Sequence, residues 1–287
     1  MNRTQSPSQN EPQNHSQKLS QRFESEGYLC PIPVFDADQA LALRKQLESI
    51  EHASKGDDKK QAAFCNNAHF ALPMFDAIAR DPGILDAVEA VLGHNILALH
   101  VDIFIKEAGS PKFISWHQDL HYWGLDSDNE VTAWLALSPA TKESGCMRFI
   151  PGSHKRKYEH RDTFAGDNML TRGQEAVGVS EEDAIFAELQ PGEMSLHHGK
   201  LLHASTANTS SDRRIGVAIR YITPSMSLAS GTAQMGAMLV RGEDRFGHFE
   251  LLESPASDFE PKAMANWQRL REVEEQILFA GANPEAA

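Results

Sequence analysis

The densest run of chemically capable side chains is Ser115-Trp116-His117-Gln118-Asp119-Leu120-His121-Tyr122-Trp123. Alternate residues of an extended strand project to one face, so His117 and Asp119 can grip a single ion while Gln118 faces away. A second imidazole would complete a facial set of two histidines and one carboxylate. That set leaves the opposite face of an octahedral ion open for a chelating co-substrate and dioxygen. A second run, Leu196-His197-His198-Gly199-Lys200-Leu201-Leu202-His203-Ala204-Ser205, follows about eighty residues later and offers three candidates. Spacing alone does not choose among them. An H-x-D pair is common in chains that bind no metal, so its surroundings must carry the assignment.

Those surroundings are specific. The strings HQDLHYW, TAWLAL, ESGCMRFIPGSHK and PGEMSLHHGKLLHASTANTSSDRR, in that order and spacing, resemble the phytanoyl-CoA dioxygenase family from about residue 23 to about residue 223. The resemblance implies a mainly β fold, a double-stranded β-helix (cupin-like jelly roll) with flanking N-terminal helices and a C-terminal helix. It implies a non-haem Fe(II) enzyme that uses 2-oxoglutarate and O2 to hydroxylate a small molecule, with succinate and CO2 as co-products. The family's distal histidine ligand maps to His203, its co-substrate arginine to Arg214, and its hydroxyl and indole around the co-substrate to Ser205 and Trp134. One departure is Ala204, where the family more often has glycine.

Elementary chemistry agrees with this mapping. Two imidazoles and one carboxylate leave Fe(II) net positive and suited to an anionic α-keto acid, while a guanidinium fork matches the remaining carboxylate. Arg213 and Arg214 point to opposite faces of any strand they share, so only one can reach a pocket. Asp119 favours hydroxylation, because related halogenases lack the carboxylate and put chloride in its place. The roles of His121, His197, His198, Lys106, Arg148 and Arg220 stay open. Several of them are basic residues on strands and hint at an anionic or hydroxylated substrate. Two other readings remain: another oxidative outcome, such as desaturation or halogenation, or a non-catalytic cupin-like protein holding zinc or nickel. Arg214 discriminates against the latter, since a structural metal has no need of it.

These residues require a scaffold. Short apolar, β-branched runs at residues 96–105, 131–137, 146–150, 194–197 and 214–223, separated by Gly, Pro, Ser and Asp clusters, predict an antiparallel sandwich or barrel. Upstream, a short helix is expected at residues 20–27 and a strand broken by prolines at 28–34. Asp36 can cap a helix whose Ala40, Leu43, Leu47 and Ile50 recur at helical spacing. Residues 72–80 and 82–92 read as further helices, the second opened by Pro82 and stopped by Gly93. Residues 261–279 read as a closing helix. Residues 154–184 are polar and aperiodic and are expected to be a lid or binding loop, and 229–250 are glycine-bearing and are expected to be mobile, a second lid over the sandwich mouth.

Composition bounds the rest. In 287 residues, 41% hydrophobic and 23% charged, a folded protein is expected, with residues 1–17 a polar disordered tail and 18–287 one catalytic domain. The net charge of -13 argues against a nucleic-acid partner. The wide spacing of Cys30, Cys65 and Cys146 suggests neither disulfides nor a thiolate metal site. The absence of an apolar leader or span points to a cytoplasmic protein without a membrane partner, and a C-terminus ending in Ala286-Ala287 carries no peroxisomal signal.

Overall fold

In the computed structural model of this chain, the described residues are 10–229 and 234–279. The N-terminal part is helical apart from one strand: α1 (Asn10–Glu26), β1 (Tyr28–Pro33), α2 (Ala37–Ser54), α3 (Asp58–Cys65), α4 (Pro73–Ala79) and α5 (Pro82–Leu92). The central strands are β2 (Ile96–Lys106), β3 (Ile114–His117), β4 (Glu130–Ala136), β5 (Met147–Phe149), β6 (His160–Asp162), β7 (Gln174–Ala176), β8 (Ile185–Ala187), β9 (Glu193–His197), β10 (His203–Ser205) and β11 (Arg214–Ile222). The chain closes with β12 (Gly236–Arg241), β13 (Glu250–Leu251) and α6 (Pro261–Leu278). Among the described residues, no helix is long and apolar enough to cross a membrane.

Two sheets face each other as a double-stranded β-helix of the cupin-like type. The major sheet has the order β1-β9-β4-β11-β2-β12-β13, the minor sheet β3-β10-β5-β8, and β6 with β7 forms a separate hairpin. Every residue of β4 and β11 is buried, the pattern of strands covered on both faces. Alternation then sorts their side chains. Val131, Ala133, Leu135, Ile215, Val217, Ile219 and Tyr221 pack outward with Leu47, Phe64, Phe75 and Val88 of the helices. Trp134, Ala136 and Ala218 pack inward with Met147 and Phe149 of the minor sheet. The inner faces enclose the site.

Local signals account for the helix boundaries. Asp36 accepts from the backbone of Gln39 and Gln39 answers at the backbone of Asp36, so α2 opens with a capping box. α5 starts at Asp81 followed by Pro82 and stops at Gly93, whose φ of 84° suits glycine.

Four expectations need correction. α1 begins at Asn10, so only residues 1–9 of the expected tail lie outside the described residues, and 10–17 are helical. Leu19 and Phe23 dock on the core, and a docked helix extends backward at little cost once it is nucleated. The helix α3 was not expected. Its periodicity is weak, and Asp57, accepting from the backbones of Lys59 and Lys60, supplies the start. Within 229–250, residues 230–233 lie outside the described residues, but β12 is no lid. It pairs with β2 and buries Met238 in the core, so the glycines there mark strand ends and close packing. Finally, Asp119 is not in the strand, because β3 ends at His117 and a 3-10 turn starts at Asp119.

Candidate active site

The register of the minor sheet assembles the donors. His203 on β10 stands directly opposite His117 on β3, with ring centroids 4.0 Å apart. Gln118 stays extended (φ −120°, ψ 120°), so Asp119 returns to the face of His117 although the strand has ended. Asp119 Oδ1 lies 3.2 Å from His117 Nε2 and 3.9 Å from His203 Nε2. One donor atom from each residue falls within 4.8 Å of the others, and all three side chains are buried. Gln118 turns the other way and ties the following loop, donating to the carbonyls of Arg156 and Lys200.

Both rings are oriented for ligation. His117 Nδ1 donates to the Ser115 carbonyl at 2.9 Å and His203 Nδ1 to the Leu201 carbonyl at 3.0 Å. A carbonyl can only accept, so the proton sits on Nδ1 and the Nε2 lone pair faces Asp119. Burial pushes His203 down to about 4, which keeps it neutral. Burial alone would raise Asp119. His203, His117 and Arg220 outweigh that effect and hold its carboxyl well below the usual carboxylate range. Two imidazoles and one carboxylate are the donor set of a non-haem Fe(II) centre.

Arg214 opens β11 on the inner face and is 1% exposed. Its guanidinium lies over the Trp134 ring at 5.1 Å and donates from Nη1 to the Gly145 carbonyl at 3.1 Å. Nε and Nη2 have no partner among the described residues. Burial pushes the group down to about 10, the signature of a cation short of counter-charge. A cavity of about 40 Å³ joins Arg214, Ser205 and Trp134 to His117, Asp119 and His203. Two idle N–H donors on a buried guanidinium, lining the same cavity as a metal-type donor set, suit the carboxylate of an α-keto dicarboxylate. Gly216 makes the packing possible, because a Cβ there would lie 1.9 Å from Trp134 Cζ2. Arg213 points outward to Glu51 at 2.7 Å and Glu107 at 2.8 Å.

A second cavity of about 590 Å³ opens on His117 and Asp119 and is walled by Phe104, Tyr122, Trp123, Leu170, Asp102 and Arg220. Met169, Leu170 and Thr171, from the segment 154–184 that was expected to be a lid, line this cavity, and the same segment carries the β6–β7 hairpin rather than a plain loop. Arg220 borders both cavities. It pairs with Asp102, brings Nε to 4.0 Å from Asp119 Oδ2, and is bracketed by Trp123 at 5.4 Å and Phe104 at 5.8 Å.

The remaining candidates separate cleanly. His197 lines the small cavity with both ring nitrogens unpartnered among the described residues, 4.7 Å by centroid from His203. His198 packs instead against Phe23 and His154, and the two neighbours are not a stacked pair. His121 stacks on His160 at 4.2 Å, and Arg148 is held by Glu181 at 2.8 Å over Trp116, so neither lines these cavities. Ala204 packs with Trp116, Ala176 and Leu202. Lys106 lies behind Ser205, and Asp102 steadies Arg220. No sequence signal marks either of these two roles, because both depend on cross-strand neighbours.

The sequence profile of the phytanoyl-CoA dioxygenase family matches residues 23–216. A probable alpha-ketoglutarate-dependent hypophosphite dioxygenase of Stutzerimonas stutzeri is 29% identical over 189 residues, which are 63% of this chain and 65% of that protein. The match thus spans slightly less than two thirds of that relative. The 1-deoxypentalenic acid 11-beta-hydroxylase of Streptomyces arenae is 27% identical over 216 residues, covering 68% of this chain and 75% of the hydroxylase. Among solved structures, the apo form of the non-heme monooxygenase ThoJ superposes with a TM-score of 0.81 at 30% identity, over 91% of this chain and 98% of the other.

Proposed function

The chain belongs to the phytanoyl-CoA dioxygenase family, and from that premise we propose that it is an Fe(II)- and 2-oxoglutarate-dependent dioxygenase that hydroxylates a small organic molecule bound in the 590 Å³ cavity. In this reading His117, Asp119 and His203 hold the iron, Arg214 and Ser205 hold the distal carboxylate of 2-oxoglutarate, and Trp134 covers the Arg214 guanidinium. The carrying observation is the junction of the two features in one small cavity: a buried, pre-oriented two-histidine, one-carboxylate cluster and an arginine with two idle donors.

Iron, 2-oxoglutarate and dioxygen together supply the oxidising power, with succinate and CO2 as co-products. The chain's own part is placement. The carbonyls of Ser115 and Leu201 keep the imidazoles turned toward Asp119, so ligation costs little reorganisation. Arg220 faces the outer oxygen of Asp119, where it opposes protonation of that carboxylate and limits its rotation. Phe104, Trp123 and Leu170 give the large cavity apolar walls that displace water from the substrate's reacting C–H. The carboxylate of Asp119 fills the place that a halide would need, so hydroxylation is favoured over halogenation. The cavity is far larger than a hypophosphite ion needs and suits an organic molecule of the usual ligand size.

The test is anaerobic. Protein with Fe(II) and 2-oxoglutarate should develop the weak visible charge-transfer band of such chelates and, in air, release succinate over pooled metabolites. His117→Ala, Asp119→Ala and His203→Ala should abolish the band and His198→Ala should keep it. A band that survives in His203→Ala and vanishes in His198→Ala would overturn the ligand assignment.

A further inference from the structure

Lys106 is 0% exposed and stands directly opposite Arg214 in the register of β2 and β11. Two basic side chains are therefore cross-strand neighbours inside the protein, and like charges so placed repel. Neither makes an ion pair among the described residues. The groups that face Lys106 are few: Arg214 from β11, the Ser205 hydroxyl of β10, the Thr206 carbonyl beyond it, and Cys146 ahead of β5. Burial pushes the Cys146 thiol up to about 12, so it supplies no negative charge near neutrality.

The hydrogen bonds define the protonation state that this geometry suits. Nζ donates to Ser205 Oγ at 2.7 Å and to the Thr206 carbonyl. A neutral amine has two N–H groups, and both are used. Because Ser205 Oγ accepts from Lys106, its own hydrogen is left to donate into the small cavity, beside the idle nitrogens of Arg214. Burial, then the adjacent Arg214 guanidinium, push the Lys106 ammonium down to about 6, in keeping with an uncharged amine at physiological pH. An incoming carboxylate reverses the local balance. It cancels the repulsion from Arg214 and gives a charged Lys106 a counter-ion one hydroxyl away.

Resting on the assignment of 2-oxoglutarate to Arg214 and Ser205, we propose that Lys106 is a positioning residue that turns the Ser205 hydroxyl toward the distal carboxylate and takes up a proton as the co-substrate binds. The linkage has a definite sign. Above the pH at which the free amine titrates, binding consumes a proton, so affinity for 2-oxoglutarate falls as pH rises, by up to about tenfold per unit. The effect disappears once Lys106 is already charged before binding. The 2-oxoglutarate carboxylates stay ionised throughout this range, and histidines already bound to metal exchange no proton.

The experiment is titration calorimetry of 2-oxoglutarate into Mn(II)-loaded protein at pH 7.5, in buffers of different ionisation enthalpy. Wild type should take up between about half and one proton, and Kd should rise steadily from pH 7 to pH 9. Lys106→Met and Lys106→Arg should both bind with no proton uptake and a flat pH profile, the arginine variant retaining the tighter affinity. Having two variants separates the linkage from a folding defect in either one. Binding by wild type with no proton uptake, or unchanged uptake in Lys106→Met, would overturn this proposal alone. No binding of 2-oxoglutarate at any pH would overturn it together with the co-substrate assignment.

Discussion

Replacing Arg214 by methionine isolates the co-substrate arm of the site, since the thioether roughly replaces the stem of the side chain as far as Nε while removing every guanidinium N–H. In the wild type, among the described residues, Nε and Nη2 are buried and unpartnered, and the only side-chain hydrogen bond is from Nη1 to Gly145. Losing a buried, charge-assisted contact to a carboxylate commonly costs about 2 to 5 kcal/mol, which is roughly thirty-fold to several-thousand-fold in Kd for 2-oxoglutarate. A thermal-shift assay on metal-loaded protein reads this directly. At about one hundred times its Kd, 2-oxoglutarate stabilises wild type by about 2.7 kcal/mol, or about 4 to 5 °C in Tm for a chain of this size. A hundredfold loss of affinity shrinks that gain to about 0.4 kcal/mol at the same concentration. Without ligand, Arg214→Met should melt no lower than wild type, because it removes a buried cation that has no counter-charge among the described residues. Arg213→Met should behave oppositely. Its partially exposed pairs with Glu51 and Glu107 are lost at a cost of about 1 kcal/mol or less, and the ligand-induced shift is kept. Full retention of the shift in Arg214→Met, or equal loss in Arg213→Met, would refute the assignment.

Two further outcomes are expected. Gly216→Ala drives a methyl into Trp134, so urea denaturation should show a loss of at least about 1 to 3 kcal/mol, together with weakened 2-oxoglutarate binding as the indole moves off Arg214. A stability within about 0.5 kcal/mol of wild type would mean that the sheet absorbs the methyl without shifting the indole. In the metal-free protein, burial, followed by His154, pushes His198 down to about 4. The unfolded chain therefore binds this proton first as pH falls, and stability should decline from about pH 6.5 to about pH 4. His198→Phe should flatten part of that slope in urea melts at pH 7, 6 and 5, and an unchanged slope would show that His198 is not held neutral.

Much of this site is legible locally. His117 and Asp119 share a face because side chains alternate along extended backbone, a rule that survives the end of β3 since Gln118 remains extended. The same alternation sends Arg213 to the surface and Arg214 inward. Asp36, Pro82 and Gly93 announce their helix ends because capping involves only neighbours within a turn. Other features have no local cause. Among His197, His198 and His203, register alone sets His203 opposite His117, and register is a property of two strands. The opposition of Lys106 to Arg214 and the pairing of Asp102 with Arg220 arise in the same way, across the β2–β11 ladder. The glycines around β12 read as mobility until β2 supplies the ladder that makes the segment a strand. Period and capping are short-range and can be read along one chain. The counter-charge, burial and partner that give a side chain its chemistry come from residues distant in sequence, and only the packed fold brings them together.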